Sequence, residues 1–193
     1  MIHFLKKFPI LELTSILLGV VKMKDSKRVG QVLFVGYVII LIWILLFKFS
    51  TSFSDLVSQF NNQPRNINLI PFKDSVMLNQ KIELSEIINN IIIFIPFGGL
   101  LGIIDKKSSF LKKIMIILLF SLAIELSQFV FGLGATDITD IITNTLGGIV
   151  GLLIYQFLKM LFKENKLDRI LVLLGMIIFI ICLAFIIFLL VIN

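Results

Sequence analysis

Long apolar segments separated by short charged ones dominate this chain. Five of them reach or approach the roughly 20 residues that a helix needs to cross the hydrocarbon core of a bilayer. They cover about residues 29–49, 87–104, 114–131, 141–161 and 170–192. Because these segments are apolar on all sides, the pattern predicts membrane-spanning helices rather than amphipathic helices of a soluble domain.

The segment before the first predicted span has a different pattern. Residues 8–21 are apolar but short for a crossing, and they are interrupted by Pro9 and Glu12. They also lack a small-residue cleavage site, which argues against a signal peptide. We therefore expect a short helix at the membrane interface.

Composition agrees with the pattern. Of the 193 residues, 58% are hydrophobic and 16% are charged, and the mean hydropathy is +1.06. A soluble domain is nearer half apolar and has more charged residues. Together these features predict an all-α membrane protein, a bundle of about five transmembrane helices with a short N-terminal interfacial helix.

The basic residues give an orientation. Fourteen of the 18 lysines and arginines lie within residues 6–7, 22–28, 105–113 and 159–169. The positive-inside rule places these segments in the cytoplasm, with the N-terminus inside and the C-terminus outside. The net charge of +6 is thus a topology signal. Since the chain has no basic stripe with interleaved aromatic residues, we expect no nucleic-acid partner.

This orientation predicts that polar residues gather at the outer end of the bundle. The loop of residues 50–86, Asn89 and Asn90 lie there, together with the turn around Asp137–Asp140. Glu125 and Gln128 lie within about two turns of the same end, inside an apolar segment. A carboxylate at that depth costs about 2–3 kcal/mol, so it usually has a purpose.

The spacing of these residues places them on shared helix faces. Glu125 and Gln128 are three apart, so they share one face and are expected to point into the bundle. Asp137, Asp140 and Asn144 share another face in the same way. If the fourth span begins near Thr136, that residue caps the helix and both aspartates fall in its favourable first turn.

Two interpretations of the acids remain open. They can be helix-start and packing residues, with Glu125 bonded to Asn144. Alternatively, Glu125, Asp137 and Asp140 form a site, because clustered carboxylates need a cation, a shared proton or a cationic ligand. Such a site would suit Mg²⁺ or Ca²⁺, or would provide a general acid or base.

Familiar catalytic motifs are missing from the sequence. It has no HExxH, no Ser–His–Asp set, no CxxC and no glycine-rich phosphate loop. The single histidine, His3, lies in the polar N-terminal arm, and the single cysteine, Cys182, lies in the last apolar segment. We assign a catalytic role to neither of them.

Glycines predict which spans pack together. Gly98 and Gly102 in the second span, and Gly147 and Gly151 in the fourth, have the four-residue spacing that lets two membrane helices approach closely. We therefore expect these two spans to form a packed pair. That packing would bring Asn90 towards Asn144.

Four motifs in order give the chain a family resemblance over about residues 30–160. They are Asn68-Leu69-Ile70-Pro71-Phe72, then Asn90-Ile91-Ile92-Ile93-Phe94-Ile95-Pro96-Phe97-Gly98, then Ile124-Glu125-Leu126-Ser127-Gln128, and last Asp137-Ile138-Thr139-Asp140-Ile141-Ile142-Thr143-Asn144-Thr145-Leu146-Gly147-Gly148. In these the chain resembles the VanZ-like family, small bacterial membrane proteins associated with teicoplanin resistance. The resemblance implies a four-helix core at residues 29–161, after an N-terminal segment at 1–28 and before an added helix at 162–193.

The resemblance also implies where the function lies. It suggests lowered susceptibility to lipoglycopeptides, which act on a cell-wall precursor at the outer membrane surface. The binding candidates are Arg65, Asn68, Asn90, Gln128 and Asn144, with an envelope lipid, a lipid-linked cell-wall precursor or the antibiotic as partner. Family members often carry a basic residue before the aspartate pair, where this chain has Gly132-Leu133-Gly134-Ala135. If that residue anchors a phosphate in relatives, either this chain lacks the role or Arg65 or Lys73 has taken it over.

The sequence therefore supports three hypotheses. The first is binding of an envelope lipid or antibiotic at the outer face, in a protein of a Gram-positive bacterium. The alternative is a membrane-embedded enzyme that uses Glu125, Asp137 and Asp140 on a lipid-linked envelope substrate, with or without a divalent cation. An ion-coupled transporter with Glu125 as carrier ranks last, because we find five spans and no inverted repeat.

Overall fold

The computed structural model describes residues 26–47, 67–72, 84–132 and 136–192. These contain five helices: α1 (Ser26–Phe47), α2 (Leu84–Ile104), α3 (Phe110–Phe131), α4 (Ile138–Leu161) and α5 (Glu164–Ile192). Two short strands, β1 (Ile67–Asn68) and β2 (Thr136–Asp137), pair in parallel. The predicted all-α class is confirmed, and this strand pair is its one addition among the described residues. The predicted interfacial helix at residues 8–21 lies outside them.

Four of the helices are suited to cross a membrane. Helices α1 to α4 contain apolar stretches of 19–24 residues with mean hydropathies of 1.6–2.6. At about 1.5 Å per residue they are about 29–36 Å long, which matches a hydrocarbon core of about 30 Å. Helix α5 has 29 residues, and its residues 170–192 carry no charge. The chain is a multi-pass membrane protein.

Helix α2 lies at the centre of the bundle. Phe94 and Phe97 on α2 are fully or almost fully buried, in one apolar core with Leu41 of α1, Ile117 of α3 and Leu152 of α4. The Phe97 ring stacks on Phe120 with 4.8 Å between centroids. The outward surfaces of the helices are apolar as well, as expected for helices that face lipid.

Glycines make the contact between α2 and α4 close, as predicted. A Cβ atom at Gly98 would overlap the carbonyl oxygen of Gly148. A Cβ at Gly147 or Gly151 would overlap carbonyl oxygens of α2 in the same way. The predicted packed pair of spans two and four is confirmed.

Candidate functional site

Polar side chains from five elements meet where β1 and β2 pair. We call this set, Asn68, Asn90, Glu125, Asp137, Thr139 and Asp140, the polar junction. It lies at one end of the bundle, between the end of α3 and the starts of α2 and α4. Five of its six members were candidate site residues in the sequence, and the structure brings them together.

Asp137 connects the strand pair to helix α4. Its Oδ1 accepts a hydrogen bond from the backbone N–H of Thr139 at 2.7 Å, which caps the helix. Its Oδ2 accepts from Asn68 Nδ2 at 3.2 Å, and Asn68 lies opposite it in the strand pair. The Asp137 carboxylate therefore accepts from an otherwise unpaired N–H at the start of α4 and also binds Asn68 of β1.

Glu125 holds the same turn from the side of α3. Its side chain is almost fully buried, at 1% exposure. Its Oε2 accepts from the backbone N–H of Asp137 at 3.0 Å, and its carbonyl oxygen accepts from the Thr136 hydroxyl at 3.2 Å. This geometry corrects the predicted cap. Thr136 is in β2 and donates to α3, so Asp137 is the cap and Asp140 alone of the two aspartates is in the first turn.

A side-chain hydrogen bond joins α2 to α4 at the junction. Asn90 Nδ2 donates to Asp140 Oδ1 at 2.7 Å, and Asn90 is buried. The side chain of Asn144, one turn further along α4, donates to the Ser121 hydroxyl of α3 at 3.1 Å. The register of the α2–α4 contact thus makes Asp140 a partner of Asn90.

The loop after β1 is tied to the start of α4. The N–H of Phe72 donates to the Thr139 hydroxyl at 2.9 Å, and Thr139 is buried. Phe72 has a φ of 61°, a left-handed conformation that is unfavourable for a large side chain. The side chains of Leu69, Ile70 and Phe72 are exposed beside the junction, so apolar surface borders the polar network.

Further polar groups are buried between the helices next to the junction. Gln128 Nε2 donates to the carbonyl oxygen of Leu45 in α1 at 2.9 Å. Gln128 Oε1 and Asn144 Oδ1 are buried and accept no hydrogen bond from the described part of the chain. Of the sequence-predicted binding residues, Arg65 lies outside the described ranges.

The acids do not form a metal-binding cluster in the described ranges 26–47, 67–72, 84–132 and 136–192. No three His, Cys, Asp or Glu side chains there are close enough to hold a metal ion. Glu125, Asp137 and Asp140 each accept a hydrogen bond from an N–H group instead. The arrangement can recognise donors and hold a loop, and it offers no ready set of carboxylate ligands.

A second charged network lies at the opposite end of the bundle, and sequence reasoning missed it. Asp168 of α5 is 2% exposed; it accepts from the Tyr155 hydroxyl at 2.8 Å and pairs with Lys106 at 2.5 Å. Glu164 pairs with Lys106 at 2.6 Å and with Lys159 at 2.7 Å. The sequence did contain one signal of this network. Asp168 is an acid that lies between Lys166 and Arg169, just before the apolar residues 170–192.

These ion pairs shift the pKa values of the groups outside the spans. Burial disfavours the charged form of Lys106, but hydrogen bonds to Asp168 and Glu164 outweigh it and raise the lysine pKa. Hydrogen bonds from Lys106 and Lys159 lower the pKa of Glu164. Both groups therefore stay charged at neutral pH, and α5 is attached to the core by ion pairs.

Comparison with known proteins shows which family the chain resembles. The family model described as VanZ/LLP1 matches residues 34–162. Protein VanZ of Enterococcus faecium is 39% identical over 160 residues, which cover 83% of this chain and 94% of that protein. No solved structure matches the chain.

Proposed function

The chain belongs to the VanZ/LLP1 family, and from that premise we propose that it acts in resistance to lipoglycopeptide antibiotics such as teicoplanin. In this proposal it works at the outer face of the cell membrane. The polar junction binds an envelope lipid or the antibiotic itself.

One observation carries the proposal. A hydrogen-bonded polar side chain at the end of β1 is followed directly by exposed apolar side chains. Asn68 is bonded into the polar junction, whereas Leu69, Ile70 and Phe72 present apolar side chains to the surroundings. A ligand for such a surface has a polar part and a hydrocarbon part. Envelope lipids and acylated glycopeptides share that chemistry, and both meet the membrane at its outer surface.

The contacts of the acids favour binding over catalysis. Asp137 uses both carboxylate oxygens to hold backbone and side-chain donors. Glu125 accepts from a backbone N–H while it is almost completely shielded from solvent. A general acid or base must reach its substrate, and a carboxylate that supports a turn is poorly placed to do so.

Isosteric amide variants test the proposal. Glu125→Gln, Asp137→Asn and Asp140→Asn remove charge but keep shape, and each is compared with wild type at equal membrane expression. We expect teicoplanin susceptibility to rise several-fold in at least the two aspartate variants. The matched control is Asp105→Asn at the opposite end, because Asn keeps the turn that Asp105 forms with the N–H groups of Lys107 and Ser108.

Lipid analysis of the same strains separates binding from catalysis. Binding predicts that the extracted envelope lipids of wild type and variants have the same composition. A lipid species that disappears with the wild-type protein and returns in the variants would instead identify an enzyme and its substrate. Wild-type susceptibility in all three variants would contradict a functional role for the acids.

A further inference from the structure

A depression of about 600 Å³ lies at the end of the bundle opposite the polar junction. It is lined by Lys163, Glu164, Asn165, Lys166 and Arg169, and we call it the basic depression. Its three cationic side chains are exposed. Within the described part of the chain, none of the three lies at ion-pair distance from a carboxylate.

The acid of the depression does not cancel these charges. Glu164 already pairs with Lys106 at 2.6 Å and with Lys159 at 2.7 Å. Its negative charge is therefore balanced by residues outside the depression. The surface formed by Lys163, Lys166 and Arg169 keeps a net positive charge.

The neighbouring residues place the depression at the depth of lipid headgroups. Met160, Leu161 and Phe162, which precede it, are exposed and apolar, and so is Ile170, which follows it. In a membrane protein such surfaces contact hydrocarbon. Cations directly beside them lie where the phosphates of the adjacent leaflet are found.

We propose that the basic depression binds the phosphate of an anionic phospholipid headgroup. Arg169 can give two parallel hydrogen bonds to a phosphate, and the two lysines add point charges. The start of α5 contributes the positive end of a 29-residue helix dipole. The lipid tails would lie against the apolar surface that borders the depression.

The test compares two triple variants with equal loss of charge. Lys163→Gln, Lys166→Gln and Arg169→Gln together empty the depression of cations. Lys107→Gln, Lys112→Gln and Lys113→Gln together remove three cations from the same end outside it. Binding of phosphatidylglycerol and phosphatidylcholine to the purified full chain is measured by native mass spectrometry, and folding is checked by circular dichroism.

We expect the first triple variant to bind phosphatidylglycerol about tenfold or more weakly, because it loses three cations beside the anionic headgroup. Phosphatidylcholine binding and the second triple variant should stay near wild type. Equal losses in both variants would mean diffuse attraction and would overturn the site. Unchanged binding of phosphatidylglycerol to the first triple variant would also overturn the site. Displacement of the lipid by millimolar inorganic phosphate would show that the depression takes a free anion instead.

Discussion

The acids of the polar junction hold backbone in place. Glu125 accepts from the N–H of Asp137, and Asp137 accepts from the N–H of Thr139. Hydrogen bonds to a charged acceptor are worth more than neutral ones, and more again away from water. The residue-scale consequence is a rigid turn at the start of α4, which provides a fixed base for the loop after β1.

The Thr139 hydroxyl accepts a hydrogen bond from the loop after β1. The variant Thr139→Val tests how much this bond holds the loop. Valine has nearly the same shape but cannot accept the hydrogen bond from Phe72. A hydrogen bond of this kind contributes about 0.5–1.5 kcal/mol. We expect the Phe72 amide to exchange hydrogen several-fold to about tenfold faster, measured by mass spectrometry in detergent.

Thr139→Ser is the matched control, because serine keeps the hydroxyl and loses one methyl group. Its Phe72 amide should exchange at nearly the wild-type rate. Identical exchange in the valine and serine variants would show that the loop is held by other contacts.

At this scale the sequence predicted which residues come together better than how they pair. Asn68, Asn90, Glu125, Asp137 and Asp140 were all identified from charge, depth and family motifs. The cap was assigned to Thr136, whereas Asp137 provides it. That choice depends on β1 pairing with β2 across 69 positions of chain, a contact that local capping preferences do not contain.

Among the elements, α2 and α4 are joined by backbone rather than by large side chains. In lipid the hydrophobic effect does not drive helices together, so close approach of backbones has to supply the contact energy. Gly98, Gly147 and Gly151 remove the side chains that would keep the two helices apart. This contact also sets the register that places Asn90 against Asp140.

The neighbouring glycines of α2 give a matched pair of variants. A methyl group at Gly98 would overlap the Gly148 carbonyl, whereas one at Gly99 would have its nearest neighbour at 3.9 Å, an ordinary contact. We expect Gly98→Ala to destabilise the protein by about 1–3 kcal/mol or more through overpacking. Gly99→Ala should be neutral or slightly stabilising, because alanine favours the helix.

The stability of both variants is measured as the midpoint of thermal unfolding in detergent, with size-exclusion chromatography as the readout. A lower midpoint for Gly98→Ala alone supports the observed register. Equal midpoints would indicate that α2 and α4 are not in contact at Gly98.

The long apolar segments predicted the helices well and their beginnings less well. The spans were expected to start near residues 87, 114 and 141, and the helices begin at Leu84, Phe110 and Ile138. Each helix includes a polar first turn, with Glu86 in α2 and Asp140 in α4, which a hydrophobic pattern leaves out. The Lys106–Asp168 pair escaped prediction because its partners come from loops and helices far apart in sequence.

For the whole molecule, the two ends of the bundle carry different chemistry. The polar junction has buried and half-buried acids and amides beside exposed apolar residues, while the other end has exposed lysines and arginines around the Lys106 ion pairs. The positive-inside rule assigns the basic end to the cytoplasm, and the proposed action on lipoglycopeptides requires the polar junction to be outside. Both arguments lead to one orientation, and it can be tested directly.

Cysteine labelling tests this orientation in intact cells. In a Cys182→Ala background, Leu69→Cys marks the exposed loop of the polar junction and Asn165→Cys marks the basic depression. We expect a membrane-impermeant maleimide to label position 69 in intact cells and position 165 only after permeabilisation, because the bilayer separates the two ends. The background protein should stay unlabelled. The reverse pattern would leave the family assignment intact, but it would place the junction in the cytoplasm, where it could not meet an antibiotic at the outer surface.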